Sequence, residues 1–186
     1  DEQVMVMNGF NTNFDAEGNQ VYAVNTVAFH YVNEPIAVER ACHDSTADAI
    51  VLVGAGTTFI AGADINIFKQ LATRDQSIER SQAVHTRPKD ADKPLVAAMH
   101  GHALGGGLEF AIACHYRVAV RTANVGQPEV RLGIIPGAGG TQRLPRLCGP
   151  AAALEMCTGG QPVAATRAVD AGIVDACCLQ HFAELC

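Results

Sequence analysis

This sequence predicts an α/β fold with largely parallel strand pairing. Strand-like apolar runs alternate along the chain with segments of helical composition. Two of those runs, residues 47–54 (ADAIVLVG) and 95–99 (LVAAM), are apolar enough to be buried strands. The length of 186 residues suits one domain with a substantial core and is too short to favour two.

Residues 1–20 are polar and weakly patterned, with turn residues at Gly9 and Gly18. Residues 21–32 alternate loosely between apolar and polar, as one or two strands do. Residues 37–43 are expected to form a short helix, and residues 47–54 a buried strand. A loop of small residues, 55–64, then leads into a helix expected to begin over 65–71. Residues 75–92 are the most polar segment and read as a surface helix or a loop. After Pro94 comes the buried strand 95–99, broken by Gly105, Gly106 and Gly107, and residues 108–114 have the composition of a buried helix. A strand, a glycine turn and a helix leave free backbone N–H groups at the helix start, where negative charge is stabilised. Glu109 falls in the first turn of that helix. Glu129 follows Pro128 in a second turn, and a third, glycine-rich turn spans 133–140. Pro150 fits the first position of a helix through Met156 that Gly159 ends. Residues 164–171 form another, stopped by Gly172, and residues 173–178 return as a strand. There is no internal repeat and no low-complexity tract.

Apolar residues make up 48% and charged ones 17%, so most of the chain is expected to fold. A net charge of −6 argues against nucleic acid or an anionic membrane as the main partner. Seven cysteines, an odd count without a CxxC pair, suit reduced thiols in a cytosol-like compartment. No signal peptide and no apolar run of transmembrane length is present. The expectation is a soluble cytoplasmic protein, or a peroxisomal or mitochondrial one in a eukaryote.

Several chemistries drop out on spacing. VLVGAGTTF follows a strand, but Phe59 stands where a dinucleotide fingerprint needs its third small residue. GxxxxGK[ST] and GxSxG are both absent. His100 and His102 lack a third ligand at useful spacing and read as core or turn histidines, so no metal is expected. Glu109 and Glu129 are a stronger case. A lone glutamate at a helix start is usually structural. However, LGGGLEFAIAC is apolar around Glu109, and a buried carboxylate is costly unless neutralised or used. Two acids beside aimed N–H donors suggest acid/base chemistry on a carbonyl compound.

Three linked motifs, TFIAGADI (58–65), HGHALGGGLEFAIAC (100–114) and GQPEVRLGIIPGAGGTQRLPRLCG (126–149), make the chain resemble the enoyl-CoA hydratase/isomerase (crotonase) family. They occur in the family's order, and the resemblance spans roughly residues 49–176. GGGLEFAIACHYRVA is most similar to the hydratase portion of multifunctional fatty-acid oxidation enzymes, which carry a 3-hydroxyacyl-CoA dehydrogenase further along. The resemblance implies a crotonase-like (ClpP/crotonase) spiral of ββα units, in a single domain over residues 1–186. Residues before about 47 match poorly. The chain stops at Cys186, where members usually continue with C-terminal helices, so a fragment of a longer chain is one reading.

By motif match, the N–H groups of Ala63 and Gly106 form the oxyanion hole for the thioester carbonyl. The Glu109 equivalent activates water for C3, and the Glu129 equivalent delivers a proton to C2. The resemblance sets Ala61, Asp64, Ile65, Gly105, Pro128 and Gly137 against the substrate, Asp64 by supporting the loop that bears Ala63. Gly137, Gly139 and Gly140 also read as turn and packing glycines. Where many members have a lysine two residues after that aspartate, this chain has Asn66, with Lys69 one turn on. Arg143 and Arg146 are surface charges or partners of a carboxylate or phosphate. The implied activity is hydration of trans-2-enoyl-CoA to 3-hydroxyacyl-CoA in fatty-acid β-oxidation, with the CoA thioester as substrate and no cofactor. A Δ3,Δ2-enoyl-CoA isomerase, alone or as a second activity, is the alternative on the same fold. A non-catalytic CoA- or RNA-binding member is the alternative of another class. The expected partner is acyl-CoA, in a homo-oligomer or a larger multifunctional chain, with no nucleic acid and no membrane.

Overall fold

The structure, a computed structural model, describes residues 49–54, 57–62 and 92–179, together with the backbone of two short strands at 12–14 and 20–22. Those two, β1 (Thr12–Phe14) and β2 (Gln20–Tyr22), pair antiparallel. The expected alternating strand therefore has a described beginning at β2, and β1 lies in a stretch that carried no pattern. The helices expected over 37–43 and 65–71 and the polar segment up to residue 91 lie outside the described residues.

The remaining strands build two sheets that the chain visits in turn. β3 (Ile50–Val53), β4 (Leu95–Met99), β6 (Tyr116–Val120) and β9 (Ala176–Cys178) form a four-stranded parallel sheet in the order β3-β4-β6-β9. β5 (His102–Leu104), β7 (Asn124–Gly126) and β8 (Val163–Ala164) form the second sheet in that order. β5 pairs parallel with β7, and β8 closes the edge antiparallel. After β3, Ile60 bridges Ala103 of β5. After β4 comes β5 and helix α1 (Gly106–Ala111); after β6 comes β7, a 3₁₀ turn (Glu129–Leu132) and helix α2 (Gly140–Gly159). The two circuits that begin at β4 and β6 thus lay one strand in each sheet and end in a helix, the expected spiral of ββα units. Helix α3 (Ala165–Asp170) follows β8 and leads to β9.

β4 sits at the centre because its side chains suit burial on both faces: Leu95, Ala97, Ala98 and Met99 are all buried. Ile50, Leu52, Leu95, Met99, Leu108, Leu144 and Ile173 are among the large, fully buried side chains of a core shared by the two sheets and the three described helices. Each contributes about 1.5–3 kcal/mol relative to exposure. Arg117 fastens β6 to the approach to β9: its Nη2 meets Asp175 at 2.7 Å, and its own N–H donates to the same carboxylate at 2.7 Å.

Several boundaries differ from the sequence expectation, each for a tertiary reason. The glycine turn does not follow β4 directly. Gly101, at φ +57°, turns the chain into β5 first, and Thr58 stitches β5 to the 57–62 loop by hydrogen bonds to both backbone groups of His102. Helix α1 runs Gly106–Ala111 instead of 108–114. Residues 112–114 close a tighter turn, and His115 N–H donates to Leu95 O, which commits the chain to the sheet. The strand expected over 173–178 is confined to Ala176–Cys178. Helix α2 begins ten residues earlier than Pro150, but its backbone breaks at Gly149 (φ 79°, ψ 159°), so Pro150 does open a helical segment.

Gly107 shows why the glycine run cannot be alanine throughout. A Cβ there would lie 2.2 Å from Ile60 O and 2.7 Å from Ile60 Cβ. Gly107→Ala is expected to destabilise the protein by about 1–3 kcal/mol through overpacking, read as a lower urea midpoint at unchanged m-value.

Candidate active site

Glu109 is placed by α1 and Glu129 by the 3₁₀ turn, and both are buried, at 2% and 8% exposure. Glu109 Oε1 accepts hydrogen bonds from the N–H groups of Ala138 at 2.8 Å and Gly140 at 2.7 Å. Those donors belong to the start of α2, whose first N–H groups have no intrahelical acceptor, so Glu109 caps α2 across the fold. An ionised carboxyl is an acceptor only, which suits this pair of donors. A Cβ on Gly140 would lie 2.8 Å from Glu109 Oε1, so glycine is needed for the approach. Gly140 was expected to be a turn and packing residue; its N–H also holds an acid. Arg143 Nη1 donates to Ala138 O at 2.9 Å and steadies the same turn.

Glu129 reaches the start of α1. Its Oε1 comes within 3.0 Å of where a Cβ on Gly105 would stand, and Gly105 has φ +56°. Both facts demand glycine at the start of α1. Burial pushes the Glu129 carboxyl up from 4.5 to about 7; its own backbone N–H opposes the rise, and the charge of Glu109 adds to it. Cys157 of α2 faces the same pair: burial first, then Glu129 and Glu109, raise its thiol. The two acids therefore meet in one electrostatic neighbourhood beside the first turn of α1. A carboxyl with a pKa near neutrality beside a second carboxylate can exchange a proton at physiological pH.

Gly106 is the first residue of α1, so its N–H lies in the turn that leaves donors free. The 57–62 loop is pinned beside it, since Leu104 N–H donates to Ile60 O and Gly107 touches Ile60. Ala61 is exposed on that loop, and Gly62 has φ +115°. Ala63, Asp64 and Ile65 lie outside the described residues. Pro128 precedes Glu129 as the 3₁₀ cap. Gly137 is exposed and lines a cavity of about 800 Å³ with Cys114, Arg117 and Arg143, which neither glutamate borders. In that wall the Cys114 thiol is pushed up to about 12 by burial, against the pull of Arg117 and Arg143, and is inert as a nucleophile. His100 is buried and donates from Nε2 to Gly54 O at 2.8 Å, as a core histidine does. Among the described residues no group of three or more His, Cys, Asp or Glu could hold a metal ion, and no helix is long and apolar enough to cross a membrane.

Sequence reasoning assigned no role to Gln127, which is fully buried. The orientation that gives both ends of its amide a partner turns Nε2 towards Glu129, 2.9 Å from Oε1 and 3.0 Å from Oε2. The signal was there: strand alternation from Val125 places Gln127 on the same inward side, a polar residue in a core position.

Residues 19–184 match the family described as enoyl-CoA hydratase/isomerase. A probable enoyl-CoA hydratase of Bacillus subtilis is 48% identical over 134 residues, covering 70% of this chain and 52% of that protein. A peroxisomal bifunctional enzyme of Danio rerio is 42% identical over 165 residues, covering 89% of this chain and 22% of that protein. The crystal structure of an enoyl-CoA hydratase from Bacillus anthracis superposes with a TM-score of 0.72 at 33% identity, covering 82% of this chain and 60% of that one. The chain thus spans about half the length of the Bacillus subtilis relative.

Proposed function

The chain belongs to the enoyl-CoA hydratase/isomerase family, and from that premise we propose that it hydrates trans-2-enoyl-CoA to 3-hydroxyacyl-CoA in fatty-acid oxidation. The observation that carries the reading is the convergence of Glu109 and Glu129 beside the first turn of α1. The thioester carbonyl accepts hydrogen bonds from the N–H groups of Gly106 and Ala63, which stabilise the enolate oxygen as water adds. One such donor is typically worth about 3–4 kcal/mol of barrier. Glu109, held by the Ala138 and Gly140 N–H groups, takes the proton of the water that attacks C3. Glu129, still protonated near neutral pH, delivers a proton to C2. Water addition needs no redox group, so the thioester is the only organic partner. Gly105 and Pro128 shape the path between the acids, and Ala61, Asp64 and Ile65 border the substrate; Gly137 acts there only through its neighbour Ala138, whose N–H holds Glu109. Likeness to peroxisomal bifunctional enzymes supports a place in a multifunctional chain, and the free thiols fit a reducing compartment.

Purified protein mixed with crotonyl-CoA is expected to lose the enoyl-thioester absorbance. A folded protein that leaves it unchanged with both short and long enoyl-CoA substrates overturns the reading.

A further inference from the structure

We propose that Arg143 is a positioning residue for Glu109: its guanidinium clamps the turn at 138–140 and so fixes the two N–H groups that hold that acid. The proposal rests on the hydratase reading above, in which Glu109 is the base. Glu109 Oε1 accepts from two N–H groups two residues apart, those of Ala138 and Gly140. Both aim at one oxygen only while the peptide units of the turn keep their orientation. Gly139, between them, has φ +100°, a conformation that favours glycine. The carbonyls of the turn are what can hold it in place. That of Gly139 belongs to the helix ladder and accepts from the N–H groups of Gln142 at 3.0 Å and Arg143 at 2.9 Å. That of Ala138 precedes the ladder, and Arg143 Nη1 reaches back one turn to donate to it at 2.9 Å. Arg143 therefore binds both carbonyls, one through its backbone and one through its side chain.

The two glycines divide the space around this clamp. A Cβ on Gly139 would collide with Arg143 Nη1 and lie 3.1 Å from its Cζ, whereas a Cβ on Gly140 would lie 2.8 Å from Glu109 Oε1. Gly139 makes room for the cation and Gly140 for the acid. Charge agrees with that division. α2 has no acidic residue in its first turn, and an arginine near a helix start opposes the helix dipole. The acid that balances both comes from α1, as Glu109. Ala138 and Arg143 also line the cavity of about 800 Å³ that neither glutamate borders. A small cation can therefore reach the clamp without entering the space between the acids.

The test removes the guanidinium and returns it from solution. Arg143→Ala in the full-length chain is expected to lower kcat for crotonyl-CoA about 10–100-fold, the weight of a hydrogen bond from a charged donor expressed as a rate, with KM changed less than kcat. Methylguanidinium at a non-denaturing concentration should restore part of kcat, and the same concentration of sodium chloride should not. Equal relief by both salts reduces Arg143 to a general charge and overturns the proposal. In the ¹⁵N spectrum of the variant the Ala138 and Gly140 amides are expected to shift and to exchange faster with solvent, while those of β4 stay protected. A folded variant in which the two amides are unmoved overturns the proposal. Should the variant not fold, the unaltered chain decides: the Arg143 Nη–H signals are expected to be resolved and to move in Glu109→Gln, and signals that exchange like a free guanidinium overturn it. Absence of hydration by an unaltered chain, with both amides moving in Arg143→Ala, counts against the hydratase reading alone.

Discussion

Glu109→Gln is expected to lower kcat for crotonyl-CoA hydration by about 10²–10⁴-fold, the usual weight of a general base, with the fold intact. The fold survives because the amide oxygen of glutamine can accept the same two hydrogen bonds, from Ala138 and Gly140, that Glu109 Oε1 accepts. Glu109→Ala is the contrasting variant. It strips both N–H groups of their acceptor at the buried start of α2, at about 1–3 kcal/mol for each unsatisfied donor. Circular dichroism and urea unfolding separate the two: native stability without hydration for glutamine, lowered stability for alanine. Isomerisation of a 3-enoyl-CoA needs a proton shuttle but no activated water. Residual isomerase activity in Glu109→Gln marks Glu129 as that shuttle, and near-normal hydration in the same variant removes Glu109 from the role of base.

A second large effect lies in pH. Glu129 keeps its proton to about pH 7 because burial, reinforced by the charge of Glu109, disfavours its ionised form. As the proton donor to C2 it must start protonated, so kcat/KM is expected to fall as pH rises through about 7. Stability moves the same way. In the unfolded chain the carboxyl ionises near its ordinary value of 4.5, whereas the folded chain holds the proton to about 7. The folded state therefore binds more protons in that window. Its contribution is fully present below 4.5 and is lost as pH rises through about 7. The loss amounts to about 2–3 kcal/mol. Glu129→Gln carries no charge to bury, so it is expected to be more stable than the unaltered chain at pH 8 by roughly that amount and equal to it near pH 4.5. Hydration by the same variant should fall by about 10²-fold or more. Urea unfolding of both proteins at the two pH values decides it: a gap that does not change with pH removes the buried-acid account.

Glu129 and Glu109 also show how far the sequence could be read. An apolar frame around Glu109 made its burial legible, because no solvated face can be drawn on LGGGLEFAIAC. Glu129 had only a proline and a turn to mark it, and its burial depends on Gly105 lacking a side chain twenty-four residues away. The strands β3 and β4 were legible as continuous apolar runs. β5, β7 and β8 are only two or three residues long, too short to carry a period, and they exist because each finds a neighbour in the second sheet. The first half of α2 carries no helix in the sequence reading, because it opens on the last glycine of the 133–140 turn and contains Pro145. The Glu109 carboxylate at its start supplies an acceptor that no residue of its own provides.

What the sequence by itself determined is the alternation of buried strands and helices, the family motifs, and the presence of two acids among glycines. All of these are properties of residue type and spacing, which a linear chain carries openly. The tertiary structure decided which N–H groups hold Glu109, why Glu129 keeps its proton, and that Gln127 stands between them. Those depend on groups distant in sequence meeting at hydrogen-bonding distance away from water, and only the folded chain brings them together.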